Sequence, residues 1–249
     1  MSQSLGFSSE LPGHTSLALT KAREHSGTMS ILDILVTYRQ GFLDGLLVTL
    51  RLCLIIWSIG LVAGCMLGAA GARWHVAIGW PSRTIAFVLS GIPILVFLFW
   101  LHYPFQALLD VVIDPFITAA ITLSIVNMFM VSELIRGVLK EFPRQYLIAA
   151  QVCGLSPIET LISIQLPIIL RQSLPGLLSI QVNMLQATLF ASLISVDEIF
   201  RVAQRINASI YKPVEIYTAL GVLFLAICLP LNGLSLWLKK HFSRDLSEH

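Results

Sequence analysis

Charge is what this chain has least of. Only 12% of its 249 residues are Asp, Glu, Lys or Arg, where a soluble domain carries about a quarter. A water-soluble globular fold is therefore excluded. The net charge of +2 leaves no basic surface for nucleic acid. Cysteine is sparse too: Cys53, Cys65, Cys153 and Cys228 are scattered, with no CxxC spacing. That argues against a disulfide framework or thiolate metal site and for small buried apolar residues. The six histidines are dispersed, and the chain has no phosphate-binding lysine loop, HExxH or G-x-S-x-G. Neither catalysis nor a cofactor held by this chain is expected. Residues 1–28 lack the apolar core of a signal peptide and read as a disordered extension. Met29 opens sequence of a different character and is a candidate start.

What remains is apolar: 56% of the residues are hydrophobic. A membrane-crossing helix needs about 20 mostly apolar residues. Five uncharged runs meet that need, at 52–72, 84–109, 115–132, 172–196 and 216–238. The first is expected to start earlier and to include Thr49 and Arg51, the arginine snorkelling to headgroups or facing protein. The third is expected to continue past Glu133. The expectation is an all-α integral membrane domain over 29–242, with spans at about 43–72, 84–104, 112–138, 172–196 and 215–238 and a tail at 243–249. Gly91 and Pro93 are expected to bend the second span. Gly60, Gly64 and Gly68 recur every fourth residue, a pattern that lets helices approach closely.

Basic residues orient the spans. One side holds Arg73, Arg83, Arg136, Lys140, Arg144, Arg171, Lys239, Lys240 and Arg244. The other holds Lys21, Arg23, Arg39, Arg201, Arg205 and Lys212. This bias places the N-terminus outside and the C-terminus inside, in the cytoplasm.

The segment 142–170 fits no span. Each half is about ten residues, too short to cross. Pro143 suits a first helical position, and Gly154 suits the left-handed residue after a helix end. Ser156, Pro157 and Glu159 read as N-cap, first position and third position of a capping box. The second helix runs toward Leu166, and Pro167 is expected to interrupt it before the fourth span. Such an element rests on headgroups or fills a partner's groove. Its Gln, Ser and Glu residues, in place of a basic face, favour the groove.

"AAQVCGLSPIETLISIQLP" (149–167) resembles the EAA loop of ABC-importer permease subunits, through Ala149, Ala150, Gly154, Ile164, Leu166 and Pro167. "GLLVTLRLCL" (45–54), "SGIPILVFLFWLHY" (90–103), "SELIRGVLKEFPRQY" (132–146) and "ATLFASLISVDEIFR" (187–201) are similar, in order, to the polar amino acid (histidine/glutamine/opine-type) branch. The resemblance runs from about 40 to 242. It implies five helices per subunit and a cytoplasmic coupling helix. Ala149, Ala150, Gly154, Leu155, Ser156, Pro157, Glu159, Leu166 and Pro167 would dock on an ATPase. It further implies a second permease subunit, which is a copy or a paralogue, and a dimer of ATPase subunits that bind ATP and Mg. A periplasmic or extracellular solute-binding protein completes the set, in the bilayer of a bacterial cytoplasmic membrane.

Glu133 and Arg136, three residues apart, form an expected ion pair that the family shares. The fourth span carries Gln181, Asn183, Gln186, Thr188 and Ser192, which read either as pathway lining or as interhelical glue. Gln181, Thr188 and Ser192 share one face by spacing, and this span lines the cavity in the family. Three positions depart from the family: Ile148 replaces a loop Glu, Gln186-Ala187 stands where Lys-Asp is common, and Ser90 where Arg is common. The rival function is an ion-coupled secondary transporter, which needs carboxylates in mid-membrane. The acids near spans, Asp44, Asp110, Asp114, Glu133 and Glu215, all fall toward the ends, so the importer is favoured.

Overall fold

The computed structural model describes residues 31–247, so the expected extension at 1–28 and the candidate start Met29 lie outside the described residues. Among the described residues there is no β-strand. A short helix, α1 (Ile31–Thr37), leads into α2 (Arg39–Arg73). At 35 residues, α2 is about 50 Å long, well beyond the roughly 30 Å of bilayer hydrocarbon. Arg51 lies on its exposed surface. A π-turn (His75–Gly79) then leads to α3 (Trp80–Gly91).

The second span, expected at 84–104 with a bend at Gly91 and Pro93, is broken at those residues and is not one rod. Gly91 ends α3, and α4 (Ile94–His102) and α5 (Pro104–Leu109) leave at 99° to the segment before them. Pro93 supplies no N–H and pushes the residue before it out of the helical region. Ile92 accordingly sits at φ −100, ψ 123.

The third span, α6 (Pro115–Lys140), runs through Glu133 without interruption; Asp114 caps it by accepting the Phe116 N–H at 2.8 Å. It lies parallel to α2. Successive glycines Gly60, Gly64 and Gly68 meet Asn127, Val131 and Ile135, so both helices advance together. A Cβ built on Gly64 would sit 2.6 Å from the Val131 Cβ and 2.7 Å from the Met128 carbonyl oxygen. Only a residue without a side chain lets the two backbones come this near.

Beyond α6 come α7 (Arg144–Val152) and a single turn, α8 (Pro157–Thr160). The expected break at Pro167 is absent. From Pro157 to Ile194 the chain is one 38-residue helical rod, so the helix that holds the fourth span starts well before residue 172. A π-turn (Leu161–Gln165) opens α9 (Leu166–Ala187), and Pro167 falls in the first turn of α9. The widened turn accommodates a residue that cannot donate, and a first helical turn needs no donor there. The rod ends in a tighter 3-10 stretch, Thr188–Ile194.

A connector then carries α10 (Ile199–Ile210), followed by α11 (Pro213–Ser247), which stays helical where a tail was expected from 243. Among the described residues four helices are long and apolar enough to cross a membrane, or five if the bent pair counts as one span. Contacts define two ends. Gly45 at the start of α2 packs on Ile199 and Val202, and Ile34 clusters with Ile216 and Leu220, so α10 sits at the N-terminal end. The ends of α2, α6 and α11 and the beginning of the 157–194 rod lie at the other.

Candidate coupling site

At that second end α7 closes with two backbone hydrogen bonds. Leu155 N–H donates to the Ala150 carbonyl and Gly154 N–H to the Gln151 carbonyl, both at 3.0 Å. This pairing satisfies the last carbonyls of a helix, and it requires a left-handed residue. Gly154 provides it at φ +74.

The chain then restarts at once. The Ser156 hydroxyl accepts the Glu159 N–H at 3.3 Å, while the Glu159 carboxylate accepts the Ser156 N–H at 2.8 Å. Pro157 holds the first position, so the capping box read from sequence is formed. The Ser156 backbone bond, reinforced by its hydroxyl, holds the Glu159 carboxyl below its ordinary range. Pro143 stands one residue earlier than expected, as N-cap of α7.

Ala150 is buried, and Ala149, Gly154, Leu155, Ser156, Pro157 and Glu159 are exposed. Leu166 and Pro167 are exposed as well, on the rod that continues into the membrane. Around them stands an apolar surface: Ile148, Val152 at 83% exposure, Ile158 at 69%, Leu161 and Ile162. Two features thus coincide, a greasy exposed face and a direct helical connection from it to the fourth span.

Glu133 and Arg136 pair beside this end. Arg136 Nη1 also donates to the Gly79 carbonyl at 3.0 Å, tying α6 to the turn before α3.

The four residues read as a candidate pathway separate. Gln181 faces Asn127 across the α6–α9 interface. Asn127 Nδ2 donates to the Gln181 Oε1 and to the Ile56 carbonyl, each at 3.0 Å, and Gln181 Nε2 returns a bond of 3.3 Å. Thr188 and Ser192 donate to their own helix at Leu185 and Leu189. All three are buried, so they do not line an open surface of this chain. Gln186 alone of the four is exposed, with Asn183 one turn before it. Amides buried in a bundle are costly unless paired, and this reciprocal pair meets that need. Replacing Asn127 with Ala strands the buried Gln181 amide. Thermal unfolding in detergent should register a loss of about 1–3 kcal/mol.

One acid escaped the sequence reading, which took from this connector only the basic Arg201, Arg205 and Lys212. Glu198 is fully buried at the N-terminus of α10 and accepts the Phe200 and Arg201 N–H groups, both at 2.9 Å. The signal was present: an acid preceding apolar residues at 199, 202, 203 and 206, which is helical spacing. Ile199 N–H donates to the Thr49 hydroxyl at 3.2 Å, which locks the connector to α2. Asp197 pairs with Arg201 and Arg205 at 3.3 Å each. Burial pushes the Glu198 carboxyl up to about 7, against the two backbone donors. A raised folded-state pKa means the fold favours the protonated form. That contribution is complete below the ordinary 4.5 and is lost as pH rises through about 7. The melting temperature should therefore climb by a few degrees on acidification from pH 7 toward 5, and Glu198→Gln should flatten that slope.

The profile of the family described as "Binding-protein-dependent transport system inner membrane component" matches residues 60–247. The chain belongs to this family. Relatives within it include the glutamine transport system permease protein GlnP of Escherichia coli (strain K12), 29% identical over 187 residues, covering 73% of this chain and 85% of the relative. The histidine/lysine/arginine/ornithine transport system permease protein HisQ of Salmonella typhimurium is 26% identical over 211 residues, 81% of this chain and 92% of its own length. Among solved structures, an amino acid ABC transporter superposes with a TM-score of 0.75 at 23% identity, over 86% of this chain and 99% of that one. The MetNI methionine ABC transporter gives 0.64 at 15%, over 83% and 98%. The fold is thus that of ABC-transporter permeases, and the chain is a multi-pass protein of the inner membrane.

Proposed function

We propose that this permease forms, with a second permease subunit, the pathway of an importer for a small polar solute, an amino acid or amino-acid-like compound. A dimer of ATPase subunits, binding ATP and Mg, drives it, and an extracytoplasmic solute-binding protein delivers the cargo. The observation that carries this reading is the exposed apolar turn at 148–162 joined without a break to the fourth span. Movement of an ATPase cleft around that turn is transmitted along a rigid rod, because α-helices resist bending far more than loops do. The excess of Lys and Arg at the coupling end orients that end, with the C-terminus, toward the cytoplasm and the N-terminus outward.

Two features shape the cargo reading. Relatives carry glutamine or basic amino acids by name. Ala187, by contrast, is buried in the core cluster, so a methyl group fills a position where the branch commonly has an acid. Ser90 donates to the Phe87 carbonyl at 2.7 Å just before the bend, where the branch has a cation. Gln186 and Asn183 are exposed polar groups in the second half of this rod and are the residues assigned to solute contact, by uncharged hydrogen bonds.

The deciding experiment is uptake in proteoliposomes holding the chain with its ATPase and binding protein. Accumulation should require ATP and the binding protein. Uptake driven by an ion gradient and indifferent to ATP would establish a secondary transporter instead.

A further inference from the structure

At the coupling end, the turn between α2 and α3 and the last turns of α6 enclose a cleft of about 320 Å³. Its charged lining comprises Arg83, Glu133, Arg136 and Lys140, and His75 lies beside them. Glu133 and Arg136 neutralise each other. Arg83 and Lys140 make no ion pair or hydrogen bond with any described residue. Two unpaired cations therefore face one cleft, the arrangement that recognises a phosphate. Glu133 contributes a second requirement. Its Oε1 is enclosed and has no hydrogen-bond partner, and a buried acceptor of this kind needs a donor. A ligand that satisfied both would carry a phosphate and a hydroxyl.

The surroundings specify what else it carries. Trp74 and Trp80 stand exposed on the same turn, and the Arg73 guanidinium lies 5.8 Å over the Trp74 ring. Indole rings collect at the headgroup level of a bilayer. From there the exposed side chains of α3, Ile85, Phe87 and Val88, continue as an apolar strip. The geometry points to an anionic phospholipid with a hydroxylated headgroup. Its phosphate diester lies between Arg83 and Lys140, a headgroup hydroxyl donates to Glu133, and an acyl chain runs along α3. A zwitterionic lipid brings its own ammonium to the same place and is repelled by the two cations. Because the site touches the Arg136–Gly79 bond, an occupying lipid braces the turn that joins the first two spans.

Native mass spectrometry of the full chain tests this, after exchange into phosphatidylglycerol or phosphatidylcholine. Transport is not involved, so a failure here is separable from a failure of the importer reading. The chain should retain phosphatidylglycerol in clear preference. Arg83→Gln with Lys140→Gln should lower that retention by about fivefold or more for each charge removed, with no loss of phosphatidylcholine, which the two cations no longer repel. Arg83→Lys with Lys140→Arg should preserve the preference. Should the doubly neutral variant fail to fold, Arg83→Gln alone, at an exposed position, reads the same ratio. Equal retention by wild type and neutral variants overturns the site. So does displacement of the lipid by millimolar inorganic phosphate, which would make it a site for the free anion.

Discussion

Gly64→Leu should destabilise the membrane domain by about 3 kcal/mol or more, enough to lower its yield as well as its melting temperature. The reason is geometric. The nearest atoms to a Cβ at 64 are the Val131 Cβ and the Met128 carbonyl oxygen, both under 3.0 Å away. One belongs to a branched side chain close to its backbone and the other is backbone, so neither can swing aside. Accommodation requires α2 and α6 to separate along their whole contact. Separation would also pull Asn127 away from the Ile56 carbonyl. Gly221→Leu is the matched control. A Cβ there has nothing within 4 Å, so the same side chain on another span should leave the melting temperature within a degree or two. Equal losses at 64 and 221 would show that the close parallel packing of α2 and α6 is not what holds the domain.

Ile158→Asp should reduce uptake more than tenfold and abolish co-purification with the ATPase while leaving the permease folded. Ile158 is 69% exposed in the isolated chain, so the substitution buries no charge within the fold. In the docked assembly the same carboxylate would enter an apolar groove unpaired, at a cost of several kcal/mol. Gly154→Val reaches the same outcome by another route. No atom lies within 4 Å of a Cβ at 154, so there is no clash, but a β-branched residue at φ +74 costs about 1–2 kcal/mol. The turn between α7 and α8 would change direction and carry Ile158 with it. Both variants should retain the wild-type melting temperature of the spans. Normal uptake by Ile158→Asp would remove this segment from the coupling mechanism.

The coupling segment was the most legible part of the molecule, because its structure is local. A left-handed glycine and a capping box involve partners within five residues, and residue identity alone specifies them. The all-α class and the long apolar helices were legible for a similar reason. A backbone in hydrocarbon must satisfy its own hydrogen bonds, so apolar length translates directly into helix. Pro167 misled because a proline's effect depends on the turn around it. A π-turn placed it in a first helical turn, where its missing donor has no consequence.

The interior polar residues were beyond reach from spacing alone. Gln181, Thr188 and Ser192 lie on one face by helical period, but which neighbour that face meets is a question of packing. Asn127 answers it from 54 positions away in the chain, and Glu198 was hidden in the same manner by Thr49 across the connector. The sequence by itself determined the membrane class and the shape of the turn at 154–159, which follow from composition and from contacts within a helical turn, and its resemblance to the permease branch pointed to the family. Only the tertiary structure decided the rest. The glycine stripe acquired its partner helix, the second span broke through 99°, and the coupling turn joined the fourth span as one rod. Those outcomes depend on how distant helices fill each other's surfaces, and no local pattern encodes that.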